Sequence, residues 1–239
     1  MGRPVISIIG PANKSHYWGV FHYAFTRSAI PWEIVFCGNA KPDFRLPENF
    51  TYIYSMEFPM KCMERSARAA KGKYLFLSVD DALPTNHKCL DWALYWLQKL
   101  PRYSVVGARY LRDGVERNEQ QTLMPRDQFS PVCFYTGLMA RRDWMELGGI
   151  DRRFVGNWGA EDLHLRGVSR GGHAFISPDS VMNEFDNEPG IDRKTHHYPE
   201  DRVLLESQWV DYSGIRQLYR TAPNTPVQSY TTEDLEGGI

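Results

Sequence analysis

Short apolar runs separated by longer amphipathic stretches set the rhythm of the first half of the chain. "VISIIG" from Val5 to Gly10, "WEIVFCG" from Trp32 to Gly38 and "FTYIYS" from Phe50 to Ser55 have the length and the β-branched and aromatic content of buried strands. Between the first two, His16 to Ser28 reads as a helix, and a further helix is expected from about Met60 to Ala70, stopping at Gly72. "YLFLSVDDALP", Tyr74 to Pro84, reads as a fourth strand. In "NHKCLDWALYWLQKL" the residues Leu90, Ala93, Leu94 and Leu97 recur at helical spacing and predict a helix lying on one sheet face. Trp92, Tyr95 and Trp96 share that spacing and are expected in the core, as are Tyr17, Trp18 and His22; His164 and His173 are expected to be structural. The alternation of strands and helices predicts an α/β fold with a mostly parallel sheet flanked by helices. After the strand-like "YSVVGARYL" the pattern breaks: Arg112 to Ser130 is polar and glutamine-rich, which predicts a long loop over the sheet edge.

The fourth strand raises the first chemical question, because it runs from apolar residues directly into Asp80 and Asp81. Acids followed by Pro84 suit an ordinary turn. They also suit a site, since ligands of α/β folds bind in the crevice beyond the carboxyl ends of the strands, where acids hold a hard cation or orient a polar substrate.

A second acidic pair stands in "FYTGLMARRDWMELGGIDRRFVGNWGAEDLHLRGVSRGG", Phe134 to Gly172. Gly148 and Gly149 break a short helix that begins near Arg141, and Gly156 and Gly159 bracket Trp158, so the backbone there can approach a ligand closely. Glu161 and Asp162 then open a new helix, where acids are favoured by the helix dipole and also serve as plain amino-terminal caps. Read together, the two pairs suit one chemistry: one carboxylate accepts a proton from a hydroxyl nucleophile, and another holds a divalent cation on a diphosphate leaving group.

Composition narrows the classes. The 239 residues are 42% apolar and 24% charged, which is ordinary for a soluble globular protein with a substantial core. A net charge of -1 provides no field for nucleic acid, and no apolar run approaches the length of a membrane span. Neither a signal-peptide pattern nor a CxxC pair is present; Cys37, Cys62, Cys89 and Cys133 are scattered, and a cytoplasmic setting is expected.

Three stretches together resemble the inverting glycosyltransferases of family-2 type, which have the nucleotide-sugar-binding GT-A fold. "IIGPANKSHYWGVFHYAFTRS" is similar to that family's first strand and Pro-x-x-Asn-Arg-like start, and "AAKGKYLFLSVDDALP" to its A-x-G-x-Y-x-x-F-L-D-x-D-D stretch with one residue fewer after Tyr74. "GLMARRDWMELGGIDRRFVGNWGAEDLHLRG" resembles the acceptor-side segment that ends in Trp-Gly-x-Glu-Asp. The resemblance implies transfer of a sugar from a nucleotide-diphospho-sugar, with a UDP-type donor favoured, to a glycan or other hydroxyl acceptor, as in polysaccharide biosynthesis. It places Pro11, Asn13, Lys14, Asn39, Ser78, Asp80 and Asp81 on the donor, and Trp158 and Gly159 on the acceptor. Asp80 would hold a Mn²⁺ or Mg²⁺ ion, Asp162 would be the general base, and Glu161 would hydrogen-bond a sugar. The chain departs from the family in Ser78, which replaces the first Asp of Asp-x-Asp, and in Gly38 and Asn39, which replace an acidic pair. Where relatives carry a late metal-binding His, Asn183, Glu184 and Asp186 stand instead; Glu184, His196 or His197 are further candidate ligands, and Arg193, Lys194 and the two histidines suit a loop closing over a diphosphate or a plain solvated turn.

The expected organisation is a GT-A domain over residues 1–190, with a donor half of about 3–100 and an acceptor half of about 101–190. A carboxyl-terminal extension, 191–239, packs on it and ends in a polar tail from about Asn224. A sugar nucleotidyltransferase, or a nucleotide- or carbohydrate-binding protein without turnover, are the alternative readings.

Overall fold

The structure is a computed structural model that describes residues 2–116, 136–185, 198–211, 218–220 and 226–236. The first half builds β1 (Ile6–Pro11), α1 (Trp18–Phe25), β2 (Trp32–Gly38), β3 (Phe50–Tyr54), α2 (Pro59–Ala69) and β4 (Tyr74–Leu77). These are the four expected strands, and they pair in parallel in the order β3-β2-β1-β4. Beyond them come β5 (Ala82–Pro84), α3 (Cys89–Leu97), β6 (Val105–Arg112), β7 (Val115–Glu116), β8 (Gly137–Ala140), α4 (Arg141–Glu146), α5 (Gly159–Ser169) and β9 (Ala174–Glu184). Together they form one nine-stranded sheet, β3-β2-β1-β4-β8-β6-β9-β5, with β7 paired to β6. The chain closes with α6 (Pro199–Gln208), the β10 (Trp209–Asp211) and β11 (Leu218–Arg220) ribbon, and α7 (Thr232–Glu236).

Alternation along β2 explains why helices cover both faces. Ile34 and Phe36 point into a cluster with Trp18, Phe21 and Phe25 of α1 and Leu90, Ala93 and Leu94 of α3. Val35 points the other way, into a cluster with Met60, Met63 and Ala67 of α2, Trp144 of α4 and Leu163 and Leu165 of α5. Such continuous burial on both faces is what the unbroken apolar runs encode. The expectation for the α3 aromatics is corrected in part: Trp92 and Tyr95 are exposed, and Lys99 lies 3.8 Å above the Tyr95 ring, while Trp96 packs at the edge of the core. Five buried positions, Cys89, Leu90, Ala93, Leu94 and Leu97, seat the nine-residue helix, so Trp92 and Tyr95 are left facing outward.

The expected fourth strand divides at its acids. β4 pairs with β1 and β8, but β5 pairs antiparallel with β9 at the far edge, Ala82 opposite Glu184. Ser78 to Asp81 therefore cross the carboxyl end of the sheet. β8 runs down from that end, and β6 and β9 run up towards it in parallel, starting at Val105 and Ala174. Because α5 descends to the start of β9, its amino terminus stands at the same end as Asp80 and Asp81. The main chain supports this placement, since Met60 at the head of α2 donates its N–H to Val155 O at 3.1 Å.

Candidate active site

The tip of β1 is closed tightly. Ala12 N–H donates to Cys37 O at 2.9 Å, and a Cβ on Gly38 would stand 1.9 Å from Ala12 O, so only glycine fits there. This turn delivers Lys14 to both acids of the crossing segment. Its main-chain N–H donates to Asp80 Oδ2 at 2.6 Å, and its Nζ to Asp81 Oδ2 at 2.5 Å. Trp18 Nε1 donates to the same Asp80 oxygen at 2.9 Å. Asp80 is 4% exposed, and burial pushes its carboxyl up to about 6, aided by the Asp81 charge and opposed by the Trp18 and Lys14 donors. Ser78 is fully buried and donates to Val79 O at 3.2 Å. Pro11 ends β1 beside Cys37, while Asn13 and Asn39 are exposed at the same rim.

Glu184 lies one strand away, with Phe185 N–H donating to Asp81 O at 3.1 Å, but its carboxylate takes Arg112 Nε at 2.8 Å. Among the described residues no three His, Cys, Asp or Glu side chains form a metal cluster. His196, His197, Arg193, Lys194 and Asp186 lie outside the described residues, as does the greater part of the expected edge loop, 117–130.

On the second side of the site, a buried carboxylate that sequence reading passed over shapes the approach to α5. Asp201, 2% exposed in the first turn of α6, accepts the N–H groups of Val155 at 3.1 Å, Gly156 at 2.7 Å and Asn157 at 2.8 Å. Gly156 is required because a Cβ there would meet the Tyr198 ring at 1.8 Å. The loop then places Trp158 at φ 65°, a left-handed conformation costly for a residue with a Cβ, with its side chain half-buried against the core. Gly159 starts the helix in a tight space beside Met60 and Ile150.

The two acids that follow differ sharply. Asp162 is fully buried, its Oδ2 accepting from Arg166 Nε at 2.8 Å and its Oδ1 from Trp209 Nε1 at 2.8 Å. Arg166 continues to Leu147 O and, at 2.7 Å, to Gly149 O, so the knot fixes the loop after α4. Glu161 is 4% exposed and receives no hydrogen bond from another described residue. Burial, with the Asp162 charge adding, pushes its carboxyl up to about 7 against its own backbone N–H. His164, buried beside Arg166, is held down to about 3 and is neutral.

Solved structures share this architecture. Staphylococcus aureus TarS 1–349 in complex with UDP-GlcNAc superposes with a TM-score of 0.62 at 13% identity, over 85% of this chain and 64% of that one. The mannosyltransferase PcManGT from Pyrobaculum calidifontis, in complex with GDP-Man and Mn²⁺, gives a TM-score of 0.61 at 18% identity, over 95% and 69%. The fold is GT-A. At these identities the likeness concerns fold alone, and the chain spans only 60% to 64% of the TarS 1–349 length. No family model and no curated protein matches the chain. Within the GT-A frame, Asp80 and Asp81 cross the carboxyl end of the sheet and Glu161 and Asp162 open the helix beside it.

Five residues in or beside this candidate site were not singled out as site residues from sequence. Trp18, Arg166, Asp201 and Trp209 are described above; the fifth is Glu64, fully buried in α2, which accepts from Trp144 Nε1 at 2.9 Å and Ile150 N at 3.0 Å. The only signal for them is general: a buried indole N–H needs an acceptor, and a buried carboxylate needs donors.

Proposed function

We propose that the chain transfers a sugar from a nucleoside-diphosphate sugar to a hydroxyl of a glycan acceptor, with inversion at the anomeric carbon. One observation carries this reading: two acidic pairs stand at one end of a GT-A sheet, each with one member paired to a cation and the other raised by burial. In this reading Pro11, Asn13, Asn39 and Ser78 line the nucleotide and Trp158 and Gly159 the acceptor.

The proton acceptor we assign is Glu161 rather than Asp162. Asp162 is fully buried, with one N–H donor on each oxygen and Arg166 as its counter-charge, whereas Glu161 accepts no hydrogen bond from another described residue and is raised to about 7, near the working range of a general base. Ionised Glu161 takes the proton of the acceptor hydroxyl as its oxygen bonds to the anomeric carbon. The bond from that carbon to the diphosphate breaks on the opposite face, and the electron pair leaves with the nucleoside diphosphate. Lys14 supplies positive charge beside the leaving group, and Asp162 positions Glu161 by anchoring the first turn of α5 to Trp209.

A divalent cation fits this site in a minimal way. Asp80 Oδ1 has no hydrogen-bond partner among the described residues, and Mg²⁺ sites commonly use one or two carboxylates together with substrate phosphates. Asp80 would hold the ion, which would neutralise charge on the diphosphate. Glu184 is a weaker candidate because Arg112 already occupies it. We further propose that residues 1–190 form the catalytic unit and that 191–239 pack on it, a division supported by Asp201 and Trp209 reaching into the loop and helix of the acceptor side.

The test is a panel of UDP- and GDP-sugars incubated with Mn²⁺, Mg²⁺ or chelator and a glycan acceptor, with products followed by NMR at the anomeric proton. Release of the nucleoside diphosphate with an inverted linkage is expected. Retention of configuration, or tight nucleotide binding with no transfer, would overturn the reading. Formation of a nucleotide sugar from a sugar 1-phosphate would make the chain a nucleotidyltransferase.

A further inference from the structure

The end of the sheet opposite the acids has its own cavity, of about 590 Å³, where β1 and β4 begin and β8 ends. Main-chain bonds draw three distant segments together there: Tyr74 N–H donates to Val5 O at 3.1 Å, and Arg141 N–H to Lys73 O at 2.9 Å. The lining consequently carries Arg3, Lys73, Arg141 and Arg142, and among the described residues no Asp or Glu lines the cavity. In a chain whose net charge is -1, four cations around one opening with no carboxylate among the described lining residues is a marked local imbalance. The rest of the lining is mainly apolar, with Pro4, Val5, Tyr74, Ala140 and Met145.

These cations are poorly compensated. Among the described residues Arg141 Nε is buried with no hydrogen-bond partner, and the same guanidinium reaches only Arg68 O, at 3.4 Å. Lys73 Nζ sits 5.5 Å from the Tyr74 ring centroid, and among the described residues neither it nor Arg3 has an ion pair. Arg142 Nε lies 3.4 Å from Asp143, but that carboxylate is already held by Arg102 at 2.7 Å and the Tyr103 N–H at 2.9 Å. Arg68 is likewise committed to Glu64, at 2.6 Å. Like charges brought together without counter-charges repel, and a buried donor left unpaired is costly, so both features favour an incoming anion.

We propose that this basic cleft is a second ligand site, separate from the acidic end, that binds a phosphate ester of sugar-phosphate or mononucleotide size. Guanidinium forks match phosphate oxygens in pairs, and the three terminal oxygens of a phosphate monoester can engage more than one of the three arginines at once, which a halide cannot. The volume falls within the roughly 300–1,000 Å³ of small-molecule sites, and the apolar part of the lining gives the ester's carbon portion a place to rest. The site owes nothing to the transfer reaction proposed above and stands or falls independently of it.

The probe is phenyl phosphate, titrated into the full chain by calorimetry at fixed ionic strength, with inorganic phosphate and phenol as the separated halves. Saturable binding of phenyl phosphate tighter than either half is expected. Arg3→Gln with Arg142→Gln, both exposed positions, should weaken it at least tenfold, and Arg141→Gln should do so alone, while Lys88→Gln, an exposed lysine before α3 that does not line the cavity, leaves it within twofold. A thermal melt equal to the parent's confirms that the doubly substituted chain is folded. Unchanged affinity in both arginine variants, or an equal loss of binding in Lys88→Gln, overturns the proposal. So does flotation of the chain with phosphatidylglycerol vesicles that phenyl phosphate fails to displace, because the cleft would then be a membrane-facing surface.

Discussion

The two acidic pairs at the carboxyl end of the sheet are built on the same plan from different parts. At the β4 crossing, Asp81 is charge-paired by Lys14 and Asp80 is raised to about 6; at the head of α5, Asp162 is charge-paired by Arg166 and Glu161 is raised to about 7. The difference lies in what else reaches the raised acid. Asp80 accepts two N–H donors on one oxygen, so its burial is partly compensated and its orientation fixed. Glu161 accepts none from another described residue, so its proton affinity is set chiefly by desolvation. A held carboxylate suits a group that must stay in place against a ligand; an unheld, raised one suits a group that must gain and lose a proton.

The largest expected effect tests that distinction directly. Glu161→Gln keeps the shape and loses the base, so transfer should fall by about 10²- to 10⁴-fold with donor affinity unchanged. The parent's kcat/KM should rise with pH through about 7, and the variant's profile should be flat there. If Asp162→Asn instead removed that limb while Glu161→Gln kept it, the two roles would be exchanged.

Asp162→Asn should act on stability. It leaves the Arg166 guanidinium buried without its counter-charge, and breaking a buried pair in this way costs roughly 3–5 kcal/mol, measurable as a lower urea midpoint with an unchanged slope. A variant as stable as the parent would show the Arg166 and Trp209 contacts to be dispensable.

A third, smaller effect follows from the sign of the Glu161 shift. Its folded carboxyl titrates at about 7, above its ordinary value, so the stability it contributes is fully present in acid and is lost as pH rises through about 7. Glu161→Gln should therefore be more stable than the parent at pH 8, by on the order of 1 to 3 kcal/mol, and the gap should close towards pH 4. A gap of constant size across that range would mean that the raised carboxyl is not the cause.

The smallest effect concerns the first pair. Lys14→Met removes the ammonium from Asp81 but leaves the main-chain bond to Asp80, and should weaken donor binding by about tenfold, the size of one charged hydrogen bond. Equal affinity in the variant would indicate that Lys14 serves only to restrain Asp81.

The sequence by itself determined the strands β1 to β4, the helices between them and the two acidic stretches, because all of these are written in local periods of two and 3.6 residues and in runs of neighbouring side chains. It did not reveal that "YLFLSVDDALP" leaves one strand and enters another, since the partner of β5 is β9, about a hundred residues away. Nor could it tell Asp162 from Glu161: adjacent acids at a helix start look alike until Arg166, four residues on, and Trp209, 47 residues on, close on one of them. Trp18, Glu64 and Asp201 stayed hidden for the same reason, each reading locally as core or surface while Asp80, Trp144 and the loop N–H groups that they bond lie 44 or more residues distant. Proton affinity and charge pairing depend on burial and on which donors arrive from elsewhere in the chain, so tertiary structure alone decided which acid in each pair is held and which is raised.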